Sequence, residues 1–261
     1  MDFHLQGKVA LVVASSQGLG KAIAAELVKE GANVMITARD SAKLENVQKE
    51  LMELKGEKVA YHQADITKAD DIKLLVQATR DVFGRIDILV NNAGGPPGGT
   101  FEQFADEDWQ KAFELNLLSY IRIIREVLPE MKKGGGRIIN LASSSIKQPI
   151  AGLILSNTFR TGIVGLTKTL AEELAPYQIL VNTVAPGKIG TDRTAFVDQM
   201  KANKLGVPKE QIEEETKNSI PLKRYGTPEE FAKVVTFLVS EANTYMTGSS
   251  FLVDGGMIKS I

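Results

Sequence analysis

The sequence predicts an α/β fold in which a parallel sheet is covered by helices on both faces, a doubly wound arrangement. Short apolar runs alternate with longer segments of helical periodicity, seven such runs recur, and no linker or low-complexity tract divides the chain. Apolar runs of about four to eight residues are typical of strands buried on both faces. Strand–helix–strand units of this length connect parallel strands by right-handed crossovers.

The first unit sets the pattern for the rest. Residues 9–13 form an apolar run that predicts a strand, and residues 21–30 carry apolar side chains at helical spacing before Gly31. The same alternation predicts further strands at 33–37, 58–63, 86–91, 136–141, 179–185 and 250–253, and helices at 41–55, 69–83, 105–131 and 154–177.

Length and composition bound the class of protein. A chain of 261 residues fits one domain, 1–261, since α/β domains often run to roughly 200–250 residues. A hydrophobic content of 43% and a charged content of 24% are those of an ordinary globular protein. A net charge of −1 gives no support for a nucleic-acid or membrane-surface partner, because both need a basic face.

Cysteine usage and the terminal sequence indicate the compartment. The chain has no cysteine, which excludes disulfides, thiolate nucleophiles and zinc–thiolate sites, and it shows no His, Asp or Glu cluster with metal-ligand spacing. The first residues lack the pattern of a signal peptide, and no apolar run approaches the ~18 residues of a membrane span. We therefore expect a cytoplasmic protein without a metal.

A glycine turn follows the first predicted strand. Gly18-Leu19-Gly20 lies between that strand and the first helix, the context in which glycines let the backbone approach a pyrophosphate at a helix N-terminus. The alternative is a tight turn with a structural role only. Ser15, Ser16 and Gln17 are further phosphate neighbours in the dinucleotide interpretation.

The end of the second strand indicates which dinucleotide binds. NAD sites carry an acid there to bind the ribose 2′-hydroxyl, whereas this chain reads Thr37-Ala38-Arg39. A guanidinium can pair with a 2′-phosphate, so Arg39 predicts NADP(H). The alternative is that Arg39 only caps the next turn.

Four motifs follow one another along residues 9–256: Ser15-Ser16-Gln17-Gly18-Leu19-Gly20, Asn91-Asn92-Ala93-Gly94, Ile138-Ile139-Asn140-Leu141-Ala142-Ser143 and Pro186-Gly187-Lys188-Ile189-Gly190-Thr191. In this order they resemble the short-chain dehydrogenase/reductase family, and the overall layout with Asp254-Gly255-Gly256 near the C-terminus resembles 3-oxoacyl-acyl-carrier-protein reductases. The resemblance implies a Rossmann fold with a seven-stranded parallel sheet, a homotetramer, and a small-molecule carbonyl or alcohol substrate.

The resemblance also implies the cofactor contacts. In the family, the position of Asp65 contacts the adenine amino group and that of Ile66 packs on the ring, while the Asn92-Ala93-Gly94 turn, Ile189 and Thr191 lie against the rest of the dinucleotide. The first glycine of the family pattern is Ala14 here, a small replacement that we expect to be tolerated. The polar segment 191–221, with helical stretches 194–204 and 209–218, corresponds to the family's substrate lid; the alternative is a surface insertion.

The catalytic positions depart from the family. Ser143 and Asn116 match the family's serine and relay asparagine, but the tyrosine position is Ser156 and the lysine position is Arg160. A serine hydroxyl is a weaker acid than a phenol. Arg160 could keep the ribose hydrogen bonds and the positive field, yet a guanidinium cannot easily shuttle a proton.

Two lysines could replace the missing acid. Lys147 and Lys188 are candidates on loops entering the site, although loop lysines are usually solvated. We expect structural roles for Tyr120, Tyr177, His4 and His62, and place both histidines away from the site.

Two functions remain open at this point. The first is an NADP(H)-dependent reductase of ketones or 3-oxoacyl compounds that works through a variant site, similar to a divergent branch of the family without the Tyr-x-x-x-Lys pair. The second is a catalytically impaired NADP(H)-binding protein that acts as a sensor or partner subunit, motivated by the loss at both Ser156 and Arg160.

Overall fold

The computed structural model describes residues 2–55 and 58–260, and in this part of the chain seven strands form one parallel sheet. The strand order is β3-β2-β1-β4-β5-β6-β7, so the predicted α/β fold and the strand positions are confirmed. The strands are β1 Val9–Val13, β2 Asn33–Ala38, β3 Val59–Gln63, β4 Ile88–Asn91, β5 Gly136–Leu141, β6 Ile179–Pro186 and β7 Ser250–Val253.

Helices connect the strands at the predicted places, with two differences. The predicted helix 105–131 contains a π turn at Glu114–Leu118, and a helix after the polar segment was not predicted. No helix of the described residues is long and apolar enough to cross a membrane. The helices are α1 Gly18–Lys29, α2 Ser41–Lys55, α3 Ala69–Phe83, α4 Asp106–Phe113, α5 Ser119–Gly134, α6 Ile154–Leu174, α7 Asp192–Leu205, α8 Lys209–Ser219 and α9 Pro228–Val239.

The alternation of side chains along each strand divides the interior into two cores. In β1, Ala10 and Val12 pack with the helices α1, α2 and α9, whereas Leu11 and Val13 pack with α3, α5 and α6. Complete burial of one such Leu or Val side chain contributes about 1.5–3 kcal/mol. Because both faces are covered, the strands read as continuous apolar runs.

The strand order places a crevice at the carboxyl edge of the sheet. The chain builds outward from β1 to β3, then returns so that β4 pairs with the other side of β1. Loops after β1 and β4 therefore diverge, and doubly wound sheets bind ligands at this switch point.

A buried polar chain fixes α6 on the ends of the central strands. Asn91 Nδ2 donates to Asn140 Oδ1 at 2.9 Å, and Asn140 Nδ2 donates to Thr167 Oγ1 of α6 at 2.9 Å. Thr183 of β6 bonds the same threonine hydroxyl at 2.9 Å. These bonds position α6, the helix that carries Ser156 and Arg160, relative to β4, β5 and β6.

The helices α7 and α8 lie where the polar segment predicted them. The backbone closes this segment at its base, since Gly190 N–H donates to Gly226 O at 2.8 Å and Gly226 N–H donates to Lys188 O at 3.0 Å. Buried Asp198 of α7 accepts from Tyr225 Oη at 2.8 Å. Burial, together with this bond, raises the pKa of Tyr225 to about 12, so its phenol remains a donor at neutral pH.

Candidate active site

The turn between β1 and α1 exposes the start of a helix. Gln17 precedes α1 in an extended conformation and its side chain does not cap the helix. Gly18 has a φ of +56°, and a Cβ on Gly20 would lie 2.4 Å from Ala14 O. Glycine at 20 is therefore required for the close approach of helix and strand end, and the first N–H groups of α1 are available to an anion.

Ala14 occupies a conformation that the sequence did not reveal. Its φ is +51°, in the left-handed region that favours glycine, so the replacement of the family's glycine is tolerated only with backbone strain. Ala14 O accepts from Asn92 Nδ2 at 3.2 Å, which joins the turn after β1 to the turn after β4.

The serines before the glycines differ in their exposure. Ser15 is buried: its Oγ donates to Val12 O at 2.7 Å and accepts from Thr37 N–H at 3.0 Å. Ser16 is half-buried and Gln17 is exposed. We therefore assign Ser15 to the support of the turn from inside, and leave Ser16 and Gln17 as the polar side chains facing outward.

The loop after β6 returns to the same crevice. Ile189 is buried, and Thr191 caps α7 by accepting from Thr194 N–H at 3.3 Å. A Cβ on Gly18 would lie 3.9 Å from the Thr191 methyl group. The predicted pyrophosphate turn and the predicted nicotinamide loop are thus neighbours.

The adenine end of the predicted site lies between β2 and β3. Arg39 is exposed, and its carbonyl accepts from Gln63 Nε2 at 2.8 Å, while Ile66 is buried. Burial acts to raise the pKa of Asp65, but hydrogen bonds from Thr67 and the charges of Arg39 and Lys68 outweigh it, and the pKa lies below its ordinary value. Asp65 is therefore a carboxylate at neutral pH.

Ser143 and Ser156 stand on elements that pack together. Ser143 is half-buried and lies two residues after β5, where its Oγ accepts from Ser145 N–H at 3.2 Å and caps the 3₁₀ turn Ser144–Ile146. That turn packs against α6, which carries the buried Ser156 in its first turn. Both serines offer hydroxyl groups, which can donate a hydrogen bond to a carbonyl oxygen.

Arg160 points into the protein interior. Its Nη1 donates to Leu141 O at 2.7 Å and to Tyr120 Oη at 3.2 Å, and its Nη2 donates to Ala93 O at 2.9 Å. The residue is only 4% exposed and forms no ion pair within the described chain. The expectation that Arg160 keeps the ribose hydrogen bonds is at odds with this geometry, because both terminal nitrogens hold the ends of β4 and β5.

Tyr120 shares this network, and its contact with Arg160 is one that sequence reasoning did not predict. The phenol is completely buried and its Oη donates to Leu141 O at 3.0 Å. Burial raises the pKa of Tyr120, and the Arg160 charge opposes that effect only in part. Tyr120 and Arg160 thus form a buried pair, in which the phenol O–H donates to the backbone carbonyl of Leu141.

Tyr177 lies outside this pair, under the Lys132 ammonium of α5. The Lys132 nitrogen is 4.4 Å from the centre of the Tyr177 ring.

Asn116 occupies the π turn and is completely buried. Its Nδ2 donates to Gly94 O at 2.8 Å, whereas its Oδ1 has no hydrogen-bond partner among the described residues. Single π turns often mark functional sites, and a buried acceptor without a partner can take a water or ligand donor.

Asn157 holds the loop beside the serines, a role that sequence reasoning missed. Its Nδ2 donates to Ile150 O at 2.9 Å and its Oδ1 accepts from Ile150 N–H at 3.3 Å. The same loop accepts from Gly99 N–H through Gly152 O at 2.7 Å. The loop after β4 is therefore bonded to the loop after β5, which is bonded in turn to α6 through Asn157.

The remaining candidate side chains, two lysines and two histidines, are exposed or half-buried. Lys147 is exposed on the loop after β5, and Lys188 is half-buried at the base of the α7–α8 segment. His4 lies beside Asp2 near the N-terminus. His62 lines a cleft that also contains Arg39, and none of the catalytic candidates lines that cleft.

Comparisons with known proteins agree with this geometry. Residues 13–258 match the family model described as Enoyl-(Acyl carrier protein) reductase. The chain is 37% identical over 258 residues to the 3-oxoacyl-[acyl-carrier-protein] reductase FabG of Aquifex aeolicus, covering 98% of this chain and 100% of the relative. It is 39% identical over 256 residues to Dehydrogenase/reductase SDR family member 4 of Homo sapiens, covering 97% and 88%. Among solved structures, L-sorbose reductase from Gluconobacter frateurii complexed with NADPH and L-sorbose superposes with a TM-score of 0.96 at 35% identity, covering 100% of both chains.

Proposed function

The chain belongs to the short-chain dehydrogenase/reductase family, and from that premise we propose that it is an NADP(H)-dependent oxidoreductase that reduces a ketone or 3-oxoacyl-type compound through a variant catalytic site. The observation that carries the proposal is the uncapped start of α1, held against Ala14 by Gly20 and facing the loops after β4 and β6. This crevice has the form that a dinucleotide requires.

The residues present fit NADP(H). Gly94 has open space where a Cβ would stand, and the N–H groups that open α1 face the same crevice, so the backbone can lie close to a ligand. When bound, NADPH supplies the hydride. We assign the pyrophosphate to the α1 turn with Ser16 and Gln17, and the 2′-phosphate to Arg39. The residues that would contact the adenine and nicotinamide ends are Asp65, Ile66, Asn92, Ala93, Gly94, Ile189 and Thr191.

The chain's own residues would act on the substrate carbonyl. The half-buried Ser143 follows β5, and its hydroxyl can donate to the carbonyl oxygen as negative charge develops there. Ser156 can add a second hydroxyl from α6. Arg160 and Asn116 position the backbone around them, and the partnerless Asn116 Oδ1 can hold a water that replaces the missing acid.

Relatives indicate the kind of substrate. One is named for reduction of a 3-oxoacyl group on acyl carrier protein, and another was solved with NADPH and L-sorbose. Both names describe carbonyl–alcohol chemistry on small molecules or thioester groups. We extend the proposal to a cytoplasmic homotetramer in which segment 191–221 covers the substrate.

A direct experiment tests the proposal. NADPH oxidation is followed with a panel of ketones, keto sugars and a 3-oxoacyl thioester, using the wild type and Ser143→Ala. We expect turnover of at least one substrate and a loss of about 10²–10⁴-fold in Ser143→Ala with little change in NADPH affinity. Turnover that is unaffected by this substitution would contradict the assignment of Ser143.

A second candidate function has its own observation. Because the Arg160 guanidinium is bonded to Leu141, Ala93 and Tyr120, the site has neither a phenol nor a free cation at the usual positions. A protein that binds NADP(H) without turnover fits this arrangement. A silent wild type beside an active Ser156→Tyr/Arg160→Lys variant would favour this second function.

A further inference from the structure

A cleft lined by two cationic and two acidic side chains lies at the β3 edge of the sheet, next to the predicted adenosine end of the cofactor site. It has a volume of about 360 Å³ and lies between the end of β2, the last residues of β3 and the first turns of α3. Its charged and titratable side chains are Arg39 from the β2 end, His62 from β3, and Asp65, Lys68 and Asp71 from the β3–α3 connection and α3.

The two acids of the cleft are engaged in local bonds. Asp65 Oδ1 accepts from Thr67 N–H at 3.0 Å and from Thr67 Oγ1 at 2.8 Å. Asp71 Oδ2 accepts from Asp65 N–H at 2.9 Å. These carboxylates hold the β3–α3 turn in shape, so part of their acceptor capacity is already used.

The basic side chains of the cleft have no such engagement. Within the described chain, neither Arg39 nor Lys68 nor His62 forms an ion pair, although many other lysines do. Lys73, one turn further along α3, pairs with Asp70 at 3.2 Å. The cleft therefore presents cationic groups from two separate elements, and within the described chain neither is in direct contact with a carboxylate.

We propose that Lys68 is a specificity-determining residue that binds the 2′-phosphate of NADP(H) together with Arg39, in a cleft that His62 also lines. The proposal rests on the proposed function, since it assumes that the adenosine end of the cofactor lies at this edge. A phosphate monoester carries about −1.5 to −2 charges at neutral pH, more than one guanidinium neutralises. Two cations from different loops hold such a group better than one.

The charges of both cations reach the same carboxyl group. Burial acts to raise the pKa of Asp65, yet Thr67 hydrogen bonds and the charges of both Arg39 and Lys68 bring it below its ordinary value. Both cations therefore lie near Asp65, on the same side of the cleft. They approach that carboxyl group from the β2 end and from the start of α3.

The test measures how tightly the intact protein binds each of the two reduced cofactors. Dissociation constants for NADPH and NADH are measured by calorimetry, in the absence of substrate, for the wild type, Lys68→Gln, Lys68→Arg and Arg39→Gln. Lys73→Gln is the matched control, because it removes one positive charge from the same helix outside the cleft. Thermal unfolding of each variant verifies that it is folded.

We expect Lys68→Gln to weaken NADPH binding about 3- to 10-fold and to leave NADH binding unchanged, with Lys68→Arg close to wild type and Lys73→Gln without effect. Equal NADPH affinities in wild type and Lys68→Gln, beside a selective loss in Arg39→Gln, would overturn the role of Lys68 and leave the NADP(H) proposal standing. A wild type that binds NADH as tightly as NADPH would overturn both.

Discussion

Arg160 shows what a single replacement does to this site. A buried guanidinium that bonds only neutral oxygens carries a desolvation cost of several kcal/mol, which its hydrogen bonds must offset. The bonds reach Leu141 at the end of β5 and Ala93 after β4, so the side chain fastens the two strands that frame the crevice. In this structure Arg160 therefore supports the backbone at the ends of these strands.

Replacing Arg160 should therefore affect stability as well as activity. In Arg160→Met, the carbonyls of Leu141 and Ala93 lose their charged donor, and we expect the free energy of unfolding in urea to fall by roughly 2–4 kcal/mol. Arg193→Met, an exposed change on α7, is the control and should remain within about 0.5 kcal/mol of wild type. An Arg160→Met protein as stable as wild type would show that these bonds contribute nothing.

The positive φ of Ala14 gives a prediction of opposite sign. Left-handed backbone costs a residue with a Cβ about 1–2 kcal/mol, and glycine at such a position loses about 0.4–1 kcal/mol through the entropy of the unfolded chain. Ala14→Gly should therefore stabilise the protein by about 0.5–1 kcal/mol and raise Tm by about 1–3 °C. Ala25→Gly, inside α1, should lower Tm instead. A lower Tm in Ala14→Gly would argue against strain at this turn.

At the scale of elements, the approach of α1 to β1 depends on glycine at one position and not at another. A Cβ on Gly20 would lie 2.4 Å from Ala14 O, so Gly20→Ala must displace α1 and should cost roughly 1–3 kcal/mol of stability. No atom of the described residues lies within 4 Å of a Cβ on Gly94, and Gly94→Ala should unfold within about 0.5 kcal/mol of wild type. Urea unfolding distinguishes the two; equal losses would mean that Gly20 is not the contact point.

The start of α9 carries a pH-dependent support for the base of the α7–α8 segment. The Arg224 side chain and the Thr227 N–H donate to the exposed Glu230 carboxylate, which lowers the pKa of Glu230 from 4.5 to about 2. Because the folded pKa is depressed, the stabilising effect is complete above about pH 4.5 and declines as pH falls toward 2.

Thermal unfolding of Glu230→Gln against wild type tests this. We expect a Tm deficit in the variant that is constant between pH 7 and 5 and that shrinks below about pH 4, because protonated wild type loses the same interaction. Glu53→Gln, exposed on α2, is the matched control. A deficit that stays constant down to pH 3 would mean that the Glu230 charge does not contribute.

At the scale of the whole molecule, the fold could be predicted because its signals are local. Apolar runs and helical periodicity located all seven strands of the described chain. α9 was missed although Thr227, Pro228 and Glu230 form a capping box with proline at the first helical position, a signal that could have found it.

The candidate site was predictable only in its order along the chain. Motif spacing located Ser143, Ser156 and Arg160, but the direction of the Arg160 side chain depends on carbonyls 19 and 67 residues away. The φ of Ala14 and the gathering of Lys68, His62 and Arg39 in one cleft likewise arise from the packing of separate loops. Such features depend on contacts between segments that are far apart in sequence, so no single segment predicts them.

We propose that hydride transfer occurs in a site without the usual tyrosine and lysine. Single-turnover reactions with NADPH deuterated at the transferable position, followed by mass spectrometry of the product, detect that transfer itself. We predict that at least one carbonyl substrate gains one deuterium in wild type and far less in Ser143→Ala. Tight NADPH binding with no deuterium in any product would contradict the claim and identify a cofactor-binding protein without reductase activity.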